Sequence, residues 1–163
     1  MNESLLQQIY KQYQRELYLY LYGLCRNRTV AEDLMQDTFL KAFLTLQDGH
    51  PNFRAWLYMV ARNLFFDYMR KESHMTEFSE NQIPSDDEPV ERLIADEMRS
   101  ALYQAIGNLD SRKREVLLLQ YFSKLPQKEI AVILRIKPEY VRVLSSRAKR
   151  ELKRQMEALG YDV

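Results

Sequence analysis

The sequence predicts an all-α chain built as two small helical units, and three observations predict it. Only four Gly and five Pro occur in 163 residues, too few for the many turns of a β-sandwich or barrel. Apart from Gly23, those few fall between segments whose apolar residues recur at helical spacing. Residues 72–88 carry no apolar stripe and contain Pro84, so they read as a linker between residues 1–71 and residues 89–163.

The elements follow in order. Leu6, Ile9, Tyr13, Leu17, Tyr20 and Leu24 line one face of a first helix from Glu3 to Cys25. Thr29 stands three residues before Glu32, the spacing of a capping box, and opens a helix from Val30 to Leu46 with Met35, Phe39, Ala42 and Leu46 inward. Residues 47–51 form a turn, and Asn52 caps a third helix that reaches Lys71. Its core stripe is Phe53, Leu57, Val60, Leu64 and Tyr68. Pro89 suits the first position of a fourth helix, which Gly107 can end in a left-handed conformation. A fifth runs from Ser111 to Phe122 with Asp110 as cap, a short one from Pro126 to Leu134, and a last one from Pro138 to Leu159.

Composition excludes several classes. At 46% hydrophobic and 29% charged, the chain is a folded soluble protein rather than a disordered one. A single cysteine, Cys25, forms no internal disulfide, and with only His50 and His74 beside it there is no zinc set. No cofactor or metal is expected. Neither a leader nor an apolar run of about 18 residues is visible, so the expectation is a cytoplasmic protein with no membrane insertion. A nuclease or hydrolase needs clustered carboxylates or histidines, and Asp33, Asp37 and Asp67 read better as surface residues. The chain is therefore not expected to be an enzyme.

The formal charge of +1 hides an asymmetry. Residues 1–71 hold nine basic and seven acidic side chains, residues 72–98 one and nine, and residues 99–163 fourteen and seven, for net charges of +2, −8 and +7. A basic C-terminal module behind an acidic segment points to a polyanion at one end of the molecule.

Two constellations carry this further. Around EIAVILRIKPEYVRVLSSRAKREL, the small Ala131 and the core set Ile130, Leu134, Ile136, Val141 and Leu144 have the spacing of a helix-turn-helix, whose second helix enters the DNA major groove. Arg142, Lys149 and Lys153 on one side and Arg147, Arg150 and Arg154 on the other suit phosphates or guanine edges, although a solvated basic face has the same pattern. On the third helix, six of the 19 aromatics fall within 16 residues. The core stripe leaves Tyr58, Phe65 or Phe66 over, and with Arg54, Arg62, Asn63 and Arg70 interleaved these rings either stack unpaired bases or pack on the first helix.

AEDLMQDTFLKAF followed by FRAWLYMVARNLFFDYMRK, then LDSRKREVLLLQYF with LPQKEIAVIL, closely resemble regions two and four of the extracytoplasmic-function sigma factors of bacterial RNA polymerase. The resemblance implies promoter-specific transcription initiation. It implies docking of Asp33, Gln36, Asp37 and Phe39 on the β′ clamp helices of core RNA polymerase. It also implies recognition and melting of the −10 element by His50, Asn52, Trp56, Tyr58, Arg62, Asn63 and Arg70. Contact with −35 duplex falls to Arg135, Lys137, Glu139, Tyr140, Arg142, Val143, Ser146, Arg147 and Arg150. The C-terminal unit would also touch the β flap, the linker would lie in the RNA channel or serve as a plain tether, and an anti-sigma factor would clamp the two units when inactive. The rival reading is a helix-turn-helix DNA-binding regulator that is not a polymerase subunit, which has no need of the region two pattern.

This chain departs from the family pattern in the recognition motif. Arg135 occupies the turn where Gly is usual, Lys137 replaces a capping Ser, and Glu139 and Tyr140 stand where Gly and Thr are common. Val143, Leu144 and Ser145 replace a frequent Ser-Arg-Leu run. Arg135 must adopt a left-handed backbone or give the turn another shape, and an atypical or weakly read −35 element is expected.

Overall fold

The structure is a computed structural model and describes residues 3–45, 52–73 and 90–162. The described residues form α1 (Glu3–Cys25), α2 (Arg28–Thr45) and α3 (Phe53–Glu72), then α4 (Val90–Gly107), α5 (Ser111–Leu117), α6 (Gln127–Leu134) and α7 (Pro138–Ala158), with a π-helical turn (Leu118–Phe122) continuing α5. No strand occurs among them. His50, the turn before Asn52 and the interior of the linker lie outside the described residues.

Local chemistry sets the ends. Arg26 takes a left-handed φ of 53° to leave α1, and Asn27 caps α2 by accepting from the Val30 amide at 3.1 Å. The cap is thus Asn27 and not Thr29, because the side chain two residues earlier reaches the free donor first. Gly107 stays inside α4. The carbonyls at that end are held instead by the Arg114 guanidinium, which donates to Gly107 O at 2.8 Å and Leu109 O at 3.1 Å, so a left-handed glycine is not required. Asp110 caps α5 as expected, accepting from Lys113 N at 3.0 Å.

In the N-terminal unit, α1 and α2 pack side by side and α3 crosses both. Leu17, Leu21 and Leu24 meet Ala31, Leu34, Met35 and Phe39, with Leu57 and Ala61 beneath. The Thr38 hydroxyl, fully buried, donates back to Leu34 O at 2.7 Å, which satisfies it without a partner helix. In the C-terminal unit, α5 and α6 pack on α7 through Val116, Ile130, Ile133, Leu134, Val141 and Leu144.

These two sets are not separate cores. One contiguous apolar cluster runs from α1 through the π turn to α7. Two units swinging freely on a strap would each close their own core; here Tyr22 and Tyr103 meet edge to face at 5.0 Å, and Leu118 of the π turn lies against Gly23 of α1. The surplus aromatics of α3 have their explanation in this packing: Tyr58 and Phe65 are buried because α3 is covered on two sides.

Candidate nucleic-acid interface

The helix-turn-helix is formed by α6, a tight turn and α7. Arg135 ends α6 with φ 57° and ψ 46°, so the turn keeps the left-handed geometry that glycine would supply, at a cost to a residue with a Cβ. Lys137 stands at the cap position of α7 with no side-chain cap bond, and Pro138 opens the helix. Val141, Leu144, Ser145 and Ala148 face inward, which by helical period turns Glu139, Val143, Ser146 and Arg150 outward, flanked by Arg142 on one side and Tyr140 and Arg147 on the other. All of these outward residues, with Arg135 and Lys137, are exposed. Every residue assigned to −35 duplex therefore sits on one solvent-facing surface, rich in arginine and carrying an apolar Val143 at its centre.

On α3 the assigned residues divide between two faces. Asn63 and Arg70 are exposed and Trp56 is half-buried against Phe53, with ring centroids 6.0 Å apart. Arg70 also pairs with Asp67 one turn back. Asn52 serves as the α3 cap, accepting from Ala55 N at 3.3 Å. Arg54, Tyr58 and Arg62, spaced by four, form the other face and meet the C-terminal unit. Tyr58 is fully buried, donates to Glu16 Oε2 at 3.1 Å and meets the Ser123 hydroxyl at 2.6 Å, so its assignment to a stacked base is corrected: in this arrangement no base reaches the ring. Arg54 joins the same cluster, contacting Glu16 and the Ser123 carbonyl. Arg62 donates through Nε to Glu115 Oε1 at 2.6 Å and through Nη2 to Glu115 Oε2 at 3.3 Å and stacks over Phe66 at 4.7 Å, so it too is engaged within the protein.

Electrostatics at this junction follow from burial. Glu115 is 1% exposed and accepts from Tyr20 Oη at 3.2 Å as well as from Arg62, which supplies the partners that a buried carboxylate needs. Burial, then the Glu115 charge, push the Tyr20 phenol well above its ordinary value. Burial pulls the Arg62 guanidinium down, and Glu115 more than offsets it. Desolvation likewise raises the Tyr58 phenol and the Cys25 thiol, which makes Cys25 a poor nucleophile.

A third surface lies on α2. Asp33, Gln36 and Asp37 are exposed in one stripe, and the stripe continues through Leu40 and Leu44, 54% and 76% exposed, with Phe43 beside it. Phe39 does not belong to it: the ring is 2% exposed and packs edge-on to Tyr10 at 4.9 Å, because it shares the inward face with Met35 and Ala42. Its docking assignment is corrected for that reason. The exposed leucines were missed by sequence reasoning, although Leu40 lies four residues after Gln36 and three after Asp37, with Leu44 four further on, and that spacing is the signal that could have found them. In the C-terminal unit, an apolar cavity of about 420 Å³ opens between α4, the π turn and α7, lined by Leu102, Ile106, Tyr121, Phe122 and Leu152 with Lys149 and Lys153. No group of three or more His, Cys, Asp or Glu positioned for a metal occurs among the described residues, and no described helix is long and apolar enough to cross a membrane.

Comparison with known proteins places this geometry. Residues 9–75 match sigma-70 region 2 and residues 99–152 match sigma-70 region 4. The chain is 31% identical over 149 residues to the ECF RNA polymerase sigma factor SigM of Bacillus subtilis, covering 90% of this chain and 91% of that one. It is 33% identical over 158 residues to the RNA polymerase sigma factor YlaC of the same organism, covering 93% and 91%. Among solved structures, CnrH in complex with the cytosolic domain of CnrY aligns with a TM-score of 0.72 at 26% identity over 96% of this chain and 90% of that one. The sigma factor RpoE in complex with the anti-sigma factor NepR from Bartonella quintana shares the fold, with a TM-score of 0.74 at 23% identity over 93% and 96%. Region 2 on α1 to α3, region 4 on α4 to α7, and relatives matched over nine-tenths of their length make this chain a member of the extracytoplasmic-function family of RNA polymerase sigma factors.

Proposed function

We propose that this chain binds core RNA polymerase and directs it to promoters by reading a −10 element through α3 and a −35 element through α7. The observation that carries the reading is a pair of unlike surfaces on one chain: an acidic and amide stripe running into exposed leucines on α2, and an outward arginine-rich face on the second helix of a helix-turn-helix. The first suits an arginine-bearing protein surface with an apolar patch, assigned to the β′ clamp helices. The second suits phosphates and base edges.

Residues 1–71 form the docking and melting unit, residues 72–88 the tether, and residues 89–163 the −35 unit. On α3, Asn63, Trp56 and Arg70, with Asn52 and the neighbouring His50, would hold the unpaired −10 strand, and Arg62 would join them once it leaves Glu115. Melting needs no chemistry, only preferential affinity for the open strand, so the chain acts without catalysing a reaction and within the cytoplasm. On α7, Arg142, Arg147 and Arg150 hold phosphates or guanine, Glu139 suits a cytosine amine, and Val143 a thymine methyl. The apolar cavity between α4 and α7 suits the β flap. One solved structure of the same fold, RpoE of Bartonella quintana, is described in complex with the anti-sigma factor NepR, and a partner of that kind is proposed here.

A regulator that never joins polymerase has no use for the α2 stripe. Size-exclusion chromatography of the chain with purified core polymerase separates the two: stoichiometric co-elution is expected, and a chain that elutes alone while still binding duplex DNA would refute the polymerase reading.

A further inference from the structure

We propose that Gln120 and Ser145 pin the rotation of α7 about its own axis, and that this polar pair decides which side chains of α7 meet base edges. Gln120 is then a positioning residue for −35 selectivity. The inference deepens the −35 reading proposed above and rests on it.

Ser145 belongs to the run in which this chain departs from the family pattern. It is the polar member of the buried set on α7, whose other members are Val141, Leu144, Ala148 and Met156. A serine inside a helix can satisfy its hydroxyl on the carbonyl four residues back, as Thr38 does on Leu34. Ser145 instead donates across the unit to Gln120 Oε1 at 2.6 Å. Gln120 stands at the centre of the π turn, and the next residue of that turn, Tyr121, has the Lys149 ammonium 5.2 Å from its ring centre. Two consecutive residues of one widened turn thus hold positions 145 and 149, which lie one turn apart on α7.

The apolar contacts of α7 fix its depth better than its rotation. Burial of Val141 and Leu144 is non-directional, and Ala148 offers only a methyl. A hydrogen bond has a preferred direction as well as a length. The other polar ties of α7 sit near its ends: Gln127 Nε2 donates to Pro138 O at 2.7 Å, and Lys113 Nζ to Glu151 Oε2 at 2.8 Å. Between them Ser145, 6% exposed, is the buried tie beneath the DNA-facing stretch. Gln120 also lines a groove of about 400 Å³ beside α7 together with Arg142, Ser146 and Lys149, so the pin adjoins side chains assigned to DNA. A turn of about 20° would carry a side-chain tip about 5–6 Å from the axis through about 2 Å, enough to break a base contact. Phosphate contacts carry no sequence information and are reached by long, adaptable arginines. The pair should therefore govern selectivity and leave general affinity for DNA in place.

Fluorescence anisotropy with two duplexes tests this on the full chain: the duplex most enriched by the native chain from a random library, and a shuffled version of it. Ser145→Ala removes the hydroxyl. Gln120→Met combined with Ser145→Ala replaces both partners by apolar groups of similar shape, which is nearly neutral for stability. In both variants the ratio of the two affinities should fall about tenfold, the discrimination held at one base pair, while affinity for the shuffled duplex and its salt slope keep their native values. A native ratio in either variant would overturn the pin. An equal loss on both duplexes, the mark of a merely structural role, would overturn it too. Should the double variant melt early, Ser145→Ala alone decides. A native chain that enriches no duplex would refute the −35 reading itself, and the pin with it.

Discussion

Replacing Arg142 and Arg147 together by Ala is expected to flatten the salt dependence of −35 binding. Both side chains are exposed on α7 and flank the outward line of Glu139, Val143, Ser146 and Arg150 on opposite sides, where the two strands of a major groove run. Each lost phosphate contact takes about 0.9 from the slope of log K against log salt, so two take about 1.8. Over a fourfold rise in salt the native chain should then lose about 12-fold more affinity than the variant. Fluorescence anisotropy with a labelled −35 duplex at several salt concentrations measures both slopes. Equal slopes would mean that neither arginine touches the backbone, and the helix-turn-helix would then meet DNA through another face. A slope reduced by half as much would leave one of the two on a base edge.

Asp37→Arg should abolish co-elution with core polymerase while leaving thermal stability within about 0.5 kcal/mol, since the residue is exposed on α2; normal holoenzyme formation would remove the α2 stripe from the docking surface. Arg135→Gly should stabilise the fold by about 1 kcal/mol, because the left-handed φ of 57° costs a residue with a Cβ about that much, and the melting midpoint should rise by about 2–4 °C; an unchanged or lower midpoint would contradict a left-handed turn. Burial raises the phenols of Tyr20 and Tyr58 above their ordinary value of 10.0, so the folded state holds protons that the unfolded state releases. Stability is then fully present below pH 10 and falls as pH rises beyond it, and Tyr20→Phe with Tyr58→Phe should blunt that alkaline loss in chemical denaturation; an unaltered pH profile would place the phenols in water.

Helix identity and order were legible from spacing alone, because each amphipathic stripe repeats over several turns. The α1 range was read correctly for that reason. Ends were less legible, since they hang on single competing bonds: Asn27 reaches the Val30 amide in place of Thr29, and Arg114 supplies the C-terminal contacts expected of Gly107. The outward set on α7 could be read because Val141, Leu144 and Ala148 fix the inward face. On α3 the same logic failed at Tyr58. One apolar stripe was already complete, and the second made sense only with a neighbour from more than 50 residues away: Ser123 for Tyr58, and Glu115 for Arg62. Gly23 carried the same hidden information. Nothing in its own helix requires glycine, and the requirement is visible only with Leu118 in place. Packing between units is a property of surfaces matched across the fold, and local periodicity does not encode it.

Transcription reconstituted from purified core polymerase, this chain and a library of templates with randomised upstream DNA tests the central claim most directly. Transcripts that start at defined positions and share two upstream motifs at fixed separation, absent when the chain is left out, are expected. Start sites no different from those of core polymerase alone would contradict it.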